Sequence, residues 1–175
     1  MIMIGLGSNL TTEEYTSSKA ILSAAIDFLE KNEISVVKCS RFYETEPVPK
    51  SDQPWFVNAV ISVKTSLAAD QLLKLLHKIE KNMGRVRRDR WEARIIDLDL
   101  LCYNDQVHPA PNKWRGVAAE VSSSDVIIPH ARLHLRKFVL APMADIDANW
   151  THPVLKKDID MMLKEHEADG IVRVL

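Results

Sequence analysis

Two carboxylates stand next to a group of cations in the stretch GRVRRDRWEARIIDLDLL, residues 84–101. Five of its first eleven residues are arginines, namely Arg85, Arg87, Arg88, Arg90 and Arg94. The apolar segment that follows contains only two polar side chains, Asp97 and Asp99. Residues two apart on a strand share a face, so both carboxylates are predicted to point the same way. Ionised carboxylates this close repel each other, and Mg²⁺ relieves the repulsion by binding carboxylate and phosphate oxygens.

The arginines complete a pattern that favours polyphosphate chemistry, because guanidinium groups bind phosphate oxygens bidentately and stay charged. The aspartate pair and the arginine run each also have an ordinary alternative interpretation. An Asp-x-Asp strand often faces solvent without a metal, and an arginine run is often a solvated or RNA-facing loop. Since the two halves adjoin in a chain of formal net charge −1, we interpret them as one phosphate-binding site. The sequence has no Walker-A motif, so the phosphates would be bound without a P-loop.

Four further side chains are candidates for binding a nucleotide or a flat ring. Glu80 lies beside the apolar stripe of a predicted helix and could reach a nucleotide, although its spacing alone favours a surface glutamate paired with a lysine. His130 precedes Arg136 in a second basic segment, where a phosphate donor and a plain polar loop are equally good interpretations. Phe56 and Asn58 share one face of a predicted strand, so one could stack on a ring while the other bonds its edge.

The elements that must position these residues follow the order βαββαβ. Residue alternation and helical periodicity predict strands at 1–7, 34–43, 55–66 and 94–103, and helices at 12–31 and 69–83. The first helix is predicted to start from a capping box of Thr11 and Glu14. This order is that of an α+β, ferredoxin-like core, in which helices pack on an antiparallel sheet.

The remainder of the chain is less regular. Helices are predicted at 137–146 and 153–166, and a terminal strand is predicted at 170–175. Residues 104–128 are predicted to be mostly loop. We expect one domain over residues 1–175, with a core over about 1–146 and a C-terminal extension of the same domain over 147–175. Cys39 and Cys102 fall in predicted strands and are interpreted as buried, reduced thiols.

Composition narrows the class of protein. The chain is 46% hydrophobic and 27% charged, which is typical of a globular protein with a core. No apolar stretch approaches the roughly 18 to 20 residues of a membrane span, and the near-neutral charge gives no general field for nucleic acid. We therefore expect a cytoplasmic protein with no nucleic-acid or membrane partner. A monomer is expected, because no predicted element has a long surplus apolar face.

Six segments match a known family in order: GLGSNL, FYETEPV, QPWFVNAV, KIEKNMGR, RWEARIIDLDLL and PHARLHLRKFVLAPM. On these segments the chain resembles the 6-hydroxymethyl-7,8-dihydropterin pyrophosphokinases of folate biosynthesis. The most specific piece is Arg94-Ile95-Ile96-Asp97-Leu98-Asp99. The resemblance implies transfer of the pyrophosphoryl group of ATP to the hydroxymethyl group of the pterin, which leaves AMP. It also implies the ferredoxin-like core.

The resemblance further implies a role for each matching residue. Two Mg²⁺ ions would lie on Asp97 and Asp99, with ATP as co-substrate. Catalytic roles fall on Asp97, Asp99, Arg85 and Arg94. The residues implied to bind ATP are Glu80, Arg85, Arg87, Trp91, Arg94, His130 and Arg136. The residues implied to bind the pterin are Gly7, Thr45, Val48, Phe56, Asn58 and Phe138.

Two positions depart from the family pattern. Glu92 stands where a small residue is usual, two positions before Arg94, and His77 stands where glutamine is more common. Glu92 leaves open a catalytically degenerate relative that only binds nucleotide. A ferredoxin-like RNA-binding module is the other alternative, although the aromatic strand motif of such modules is absent.

Overall fold

The computed structural model describes residues 1–84, 94–117 and 126–175. Within them, six strands form one sheet in the order β5-β1-β4-β3-β6, and β2 also pairs with β4. Every pairing is antiparallel. The strands are β1 (Ile2–Ser8), β2 (Ser35–Cys39), β3 (Tyr43–Thr45), β4 (Phe56–Lys64), β5 (Asp97–Tyr103) and β6 (Val172–Val174).

Helices cover both faces of the sheet. The helices are α1 (Ser18–Lys31), α2 (Ala69–Asn82), α3 (Pro111–Val117), α4 (Lys137–Ile146) and α5 (Ile159–Glu165), with a 3₁₀ helix at Leu133–Leu135. Successive residues of β1 and β4 point to opposite faces of the sheet, so the sheet separates two hydrophobic cores. Ile4 and Ile61 pack with α1 and α2, whereas Met3 and Val60 pack with α4 and α5. The predicted α+β, ferredoxin-like core is confirmed, and the C-terminal helices cover the sheet's second face.

Three predicted boundaries were wrong, each because a side chain bonds to backbone. Helix α1 starts at Ser18, since the Ser17 hydroxyl caps it at Ala20 N–H, while Thr12 closes a separate turn at Tyr15. Helix α5 starts only at Ile159, because Asp158 caps it at Met161 N–H. The predicted strand 34–43 divides into β2 and β3 at Ser40, whose hydroxyl accepts a hydrogen bond from Val60 N–H at 2.9 Å.

The structure adds one short helix to the predicted loop at 104–128, and it corrects one further expectation. Part of 104–128 is helical, because α3 buries Trp114 to 1% exposure in a small core with Ile127 and Ala131. Cys102 is buried as expected, but Cys39 is exposed, because most of β2 faces away from both cores. The expected terminal strand is confirmed as β6, which pairs with β3. No helix in the described parts of the chain is both long and apolar enough to cross a membrane.

Candidate active site

The two aspartates lie together at the start of β5. Leu98 and Leu100 point into the first core, so Asp97 and Asp99 point out from the opposite face. Their side chains keep 23% and 32% of their surface exposed, respectively. Their partners in β1 are glycines, with Gly7 opposite Asp97 and Gly5 opposite Asp99, so no neighbouring side chain of β1 crowds the carboxylates. The predicted common face is therefore present.

Cationic side chains from just before β5 and from the segment 130–136 meet these carboxylates. Arg94 Nη1 lies 2.5 Å from Asp97 Oδ2, and Arg136 Nη1 lies 3.2 Å from Asp99 Oδ2. His130 Nε2 lies 3.9 Å from Asp99 Oδ1. The structure thus brings together five predicted residues from two separate parts of the sequence, 94–99 and 130–136. Both charge pairs are partly open to solvent, so their ions can exchange partners.

Local hydrogen bonds define the state of His130. Its backbone N–H donates to Leu101 O at 2.8 Å, which ties the segment to β5. Its Nδ1 accepts from Arg132 N–H at 3.2 Å, so a neutral ring carries its proton on Nε2. Burial lowers the pKa of His130, against the opposing pull of Asp99. A neutral imidazole therefore presents an Nε2–H donor on the side of Asp99.

The donor set fits magnesium better than a transition metal. Among residues 1–84, 94–117 and 126–175, no group of three or more His, Cys, Asp or Glu side chains could hold an ion. Asp97 and Asp99 offer oxygen atoms only. Mg²⁺ commonly takes one or two carboxylates and completes its shell with water and substrate phosphates. The two aspartates are thus suited to a metal that arrives with a nucleotide.

Asn9 is a site residue that the sequence alone did not single out. Its side chain is buried, with Oδ1 accepting from Arg94 N–H at 2.7 Å and Nδ2 donating to Pro54 O at 3.1 Å. Its own N–H donates to Arg94 O at 3.0 Å. Asn9 therefore holds the backbone of Arg94 beside β1. The available signal was its place in GLGSNL, one of the segments that match the family.

Glu80 is not a surface residue, so the simpler interpretation of its spacing was wrong. It is 2% exposed, and Oε1 accepts from Leu98 N–H at 2.8 Å. Leu98 lies between the two aspartates, so this carboxylate supports β5 from behind the site. The implied contact of Glu80 with ATP stays a prediction.

The residues implied to bind the pterin surround the end of β3. Asn58 Nδ2 donates to Thr45 Oγ1 at 2.7 Å, and both side chains are buried. A Cβ at Gly7 would lie 2.9 Å from Asn58 Oδ1, so any other residue there would displace the Asn58 amide. Phe56 pairs with Thr45 across the two strands.

A cleft lies between Thr45 of this group and Arg136 of the phosphate side, whereas Gly7, Phe56 and Asn58 are not among its lining residues. It has a volume of about 190 Å³, and its walls include Thr45, Val48, Arg136 and Phe138. The Arg136 guanidinium lies 5.7 Å from the centre of the Phe138 ring. The C-terminal segment supplies another wall through Asp169, Gly170 and Val172.

Arg85, Arg87, Trp91 and the departure Glu92 lie outside the described residues, as do Arg88 and Arg90. The residues that are placed form two adjoining groups, one of charged side chains at β5 and one around an apolar cleft, and Arg136 belongs to both.

The family is shown by a direct match. The model of the family described as 7,8-dihydro-6-hydroxymethylpterin-pyrophosphokinase (HPPK) matches residues 3–148. The chain belongs to the HPPK family. The match includes β5, the His130–Arg136 segment and the cleft residues Thr45, Val48 and Phe138, and it ends before α5 and β6. The predicted resemblance is thereby confirmed.

Individual relatives agree with the family match. The 2-amino-4-hydroxy-6-hydroxymethyldihydropteridine pyrophosphokinase of Bacillus subtilis is 37% identical over 144 residues, covering 82% of this chain and 75% of its own. A folate synthesis bifunctional protein of Arabidopsis thaliana is 38% identical over 146 residues, which cover 83% of this chain but 26% of that protein. HPPK sequences thus also occur within longer bifunctional chains.

Solved structures share the HPPK fold. The crystal structure of wild-type Plasmodium falciparum HPPK-DHPS with pteroate has a TM-score of 0.65 at 16% identity. The similarity covers 95% of this chain and 44% of that longer chain. At this identity the comparison shows the fold alone.

Proposed function

We propose that the protein transfers the pyrophosphoryl group of Mg-ATP to the hydroxymethyl group of 6-hydroxymethyl-7,8-dihydropterin, yielding AMP and the pterin diphosphate for folate biosynthesis. The observation that carries the proposal is the position of Arg136. It contacts the Asp99 carboxylate and also lines the cleft that contains Phe138. A charged group suited to phosphate and an apolar surface suited to a ring therefore adjoin at one side chain, as transfer between a nucleotide and a flat substrate requires.

On the phosphate side, Asp97 and Asp99 would hold Mg²⁺, and two ions are proposed. When bound, the metal neutralises charge on the phosphate oxygens and orients them. Arg94 and Arg136 lie within reach of the same region and are paired with the carboxylates. Because both pairs are partly exposed, phosphate oxygens can compete for the guanidinium groups. His130 would add a neutral Nε2–H donor.

On the pterin side, Phe138 would stack on the ring, and Asn58 would hydrogen-bond its edge. The Asn58 amide is already oriented by its bond to Thr45 and by the close approach of Gly7. An oriented amide loses little freedom on binding, so it discriminates between ring edges. Phe56 and Val48 would complete the contact with the ring.

We also infer that residues 1–175 form one domain. Strand β6 extends the sheet, with Val172 opposite Thr45 and Val174 opposite Tyr43. Ile159 and Met162 of α5 are buried in the core shared with α4. The extension after residue 146 thus packs on the sheet that carries the site.

The decisive experiment is incubation with Mg-ATP, with and without 6-hydroxymethyl-7,8-dihydropterin, followed by separation of AMP from ADP. Pterin-dependent AMP together with a pyrophosphorylated pterin is the expected result. ADP in place of AMP would mean transfer of a single phosphoryl group and would overturn the proposal. ATP binding without turnover would instead support the degenerate relative.

A further inference from the structure

The segment from Pro129 to Arg136 has a buried back as well as a front that faces the aspartates. On the front, His130 and Arg136 approach Asp99. On the back lies Trp114 of α3, which is 1% exposed. Its indole Nε1–H donates to Pro129 O at 2.8 Å, directly before His130. A helix from residues predicted to be loop therefore fixes the start of the segment that carries two implied ATP ligands.

Two imidazoles extend this contact to the C-terminal part of the chain. The ring centres of Trp114 and His134 are 5.7 Å apart, and those of Trp114 and His152 are 4.9 Å apart. His134 and His152 lie 5.9 Å apart in an edge-to-face arrangement. His134 belongs to the 3₁₀ helix between His130 and Arg136. Trp114 and His152 therefore pack directly against the middle of the ATP-site segment.

Burial and two backbone hydrogen bonds fix the orientation of the His152 ring. It is fully buried, and its Nδ1 accepts from the N–H groups of Val154 and Leu155, each at 3.2 Å. Both Val154 and Leu155 also pack against the Trp114 core. The imidazole thus connects a tight turn after α4 to the back of the segment. A movement of this turn would be transmitted to His134.

Hydrophobic packing alone does not account for imidazoles at positions 134 and 152. Among the described residues, His134 Nδ1 and His152 Nε2 are buried without a hydrogen-bond partner. A buried polar atom without a partner disfavours the folded state, and an apolar side chain of similar size would avoid the loss. The aromatic rings nevertheless give the cluster defined edge-to-face contacts. These side chains therefore supply a defined geometry in addition to packing.

We propose that Trp114, His134 and His152, here named the back cluster, are positioning residues that hold His130 and Arg136 in place for ATP. The inference rests on the proposed function. It gives a role to α3, which the family motifs do not include, and to the turn at His152, which lies just beyond the family match. None of the three is proposed to touch substrate.

The test is Trp114→Phe, which keeps a buried aromatic ring and removes the hydrogen bond to Pro129. Binding of a non-hydrolysable Mg-ATP analogue and of the pterin is measured separately by calorimetry, alongside KM and kcat. The Kd and KM for the nucleotide should rise about three- to tenfold, the range for one lost hydrogen bond. Pterin affinity should change less, because the segment supplies only part of the cleft wall and Thr45, Val48 and Phe138 lie outside it. The matched control is Trp150→Phe, because Trp150 contacts His152 but belongs to the other core.

A second pair of variants keeps the inference testable if Trp114→Phe does not fold. His152→Leu removes the acceptor for Val154 and Leu155, whereas His152→Asn retains an oxygen near the position of Nδ1. Nucleotide affinity should fall in the first variant and be restored in large part by the second. Lower thermal stability with an unchanged ratio of nucleotide to pterin affinity, in either series, would overturn the positioning role. A wild-type chain that binds neither ligand would instead refute the proposed function.

Discussion

Polar groups on the front and on the back of the segment from Pro129 to Arg136 differ in their exposure and in their partners. On the front, Asp99 has charged partners and remains 32% exposed. On the back, His152 is fully buried, and its Nε2 has no partner among the described residues. Partly exposed ion pairs contribute little to stability and exchange partners readily, whereas a buried ring moves only with its neighbours. The contrast supports the proposed division, with substrate binding at the front and fixed geometry at the back.

The largest expected effect is on the front. Asp97→Ala and Asp99→Ala should each lower the rate of AMP formation by at least about 10²–10³-fold, the range for loss of one major electrostatic contact to the transition state. Stability should change little, because both carboxylates are partly exposed. The readouts are the rate of AMP release and the urea midpoint.

Asp160→Ala is the matched control for the two aspartates. It removes an exposed carboxylate of α5 that also has a cationic partner, Lys164. Its turnover should equal that of the wild-type chain. Survival of turnover in both β5 variants would show that the aspartates do not bind the metal.

Glu80 is intermediate between the front and the back, because its carboxylate is buried like Nε2 of His152 but has a hydrogen-bond partner like Asp99. Glu80→Ala leaves the buried Leu98 N–H without its acceptor and should lower the free energy of unfolding by about 1–3 kcal/mol. Glu80→Gln retains an oxygen acceptor and should lose less. Urea unfolding measures both, with Lys81→Ala on the exposed face of α2 as control. Equal losses in the two variants would mean that the bond to β5 is not what Glu80 contributes.

These cases also mark what the sequence could predict. Period-two alternation in Asp97-Leu98-Asp99-Leu100 was sufficient to place both carboxylates on one face, because that pattern is local. The burial of Trp114 was not predictable in this way. Helix α3 is too short for a periodic signal. Its partners His134 and His152 lie 20 and 38 residues further along the chain, so only the assembled fold brings the three rings together.

Acid should lower the free energy of unfolding through His152 and His134 of the back cluster. Burial lowers the pKa of His152 from 6.5 to about 4. An unfolded chain therefore binds a proton at His152 between these pH values that the folded chain does not. The free energy of unfolding should be fully retained above pH 6.5 and should fall by up to about 1.4 kcal/mol per pH unit as the pH drops towards 4. Burial lowers the pKa of His134 as well, which acts in the same direction.

His152→Asn isolates this contribution, since asparagine does not titrate. Urea unfolding at a series of pH values should show a shallower decline below pH 6.5 for the variant than for the wild-type chain. Identical declines would show that His152 is not the group whose protonation destabilises the fold.

The smallest expected effect is at the cleft. Phe138→Leu removes the aromatic face but keeps an apolar side chain. Pterin Kd should rise about two- to tenfold, as expected for the loss of one stacking contact. ATP affinity should not change, although the Arg136 guanidinium lies near the Phe138 ring. Phe28→Leu on α1 is the matched control. Loss of affinity for both ligands would mean that Phe138 acts by holding Arg136, and the division between a ring-binding cleft and a phosphate-binding front would then have to be abandoned.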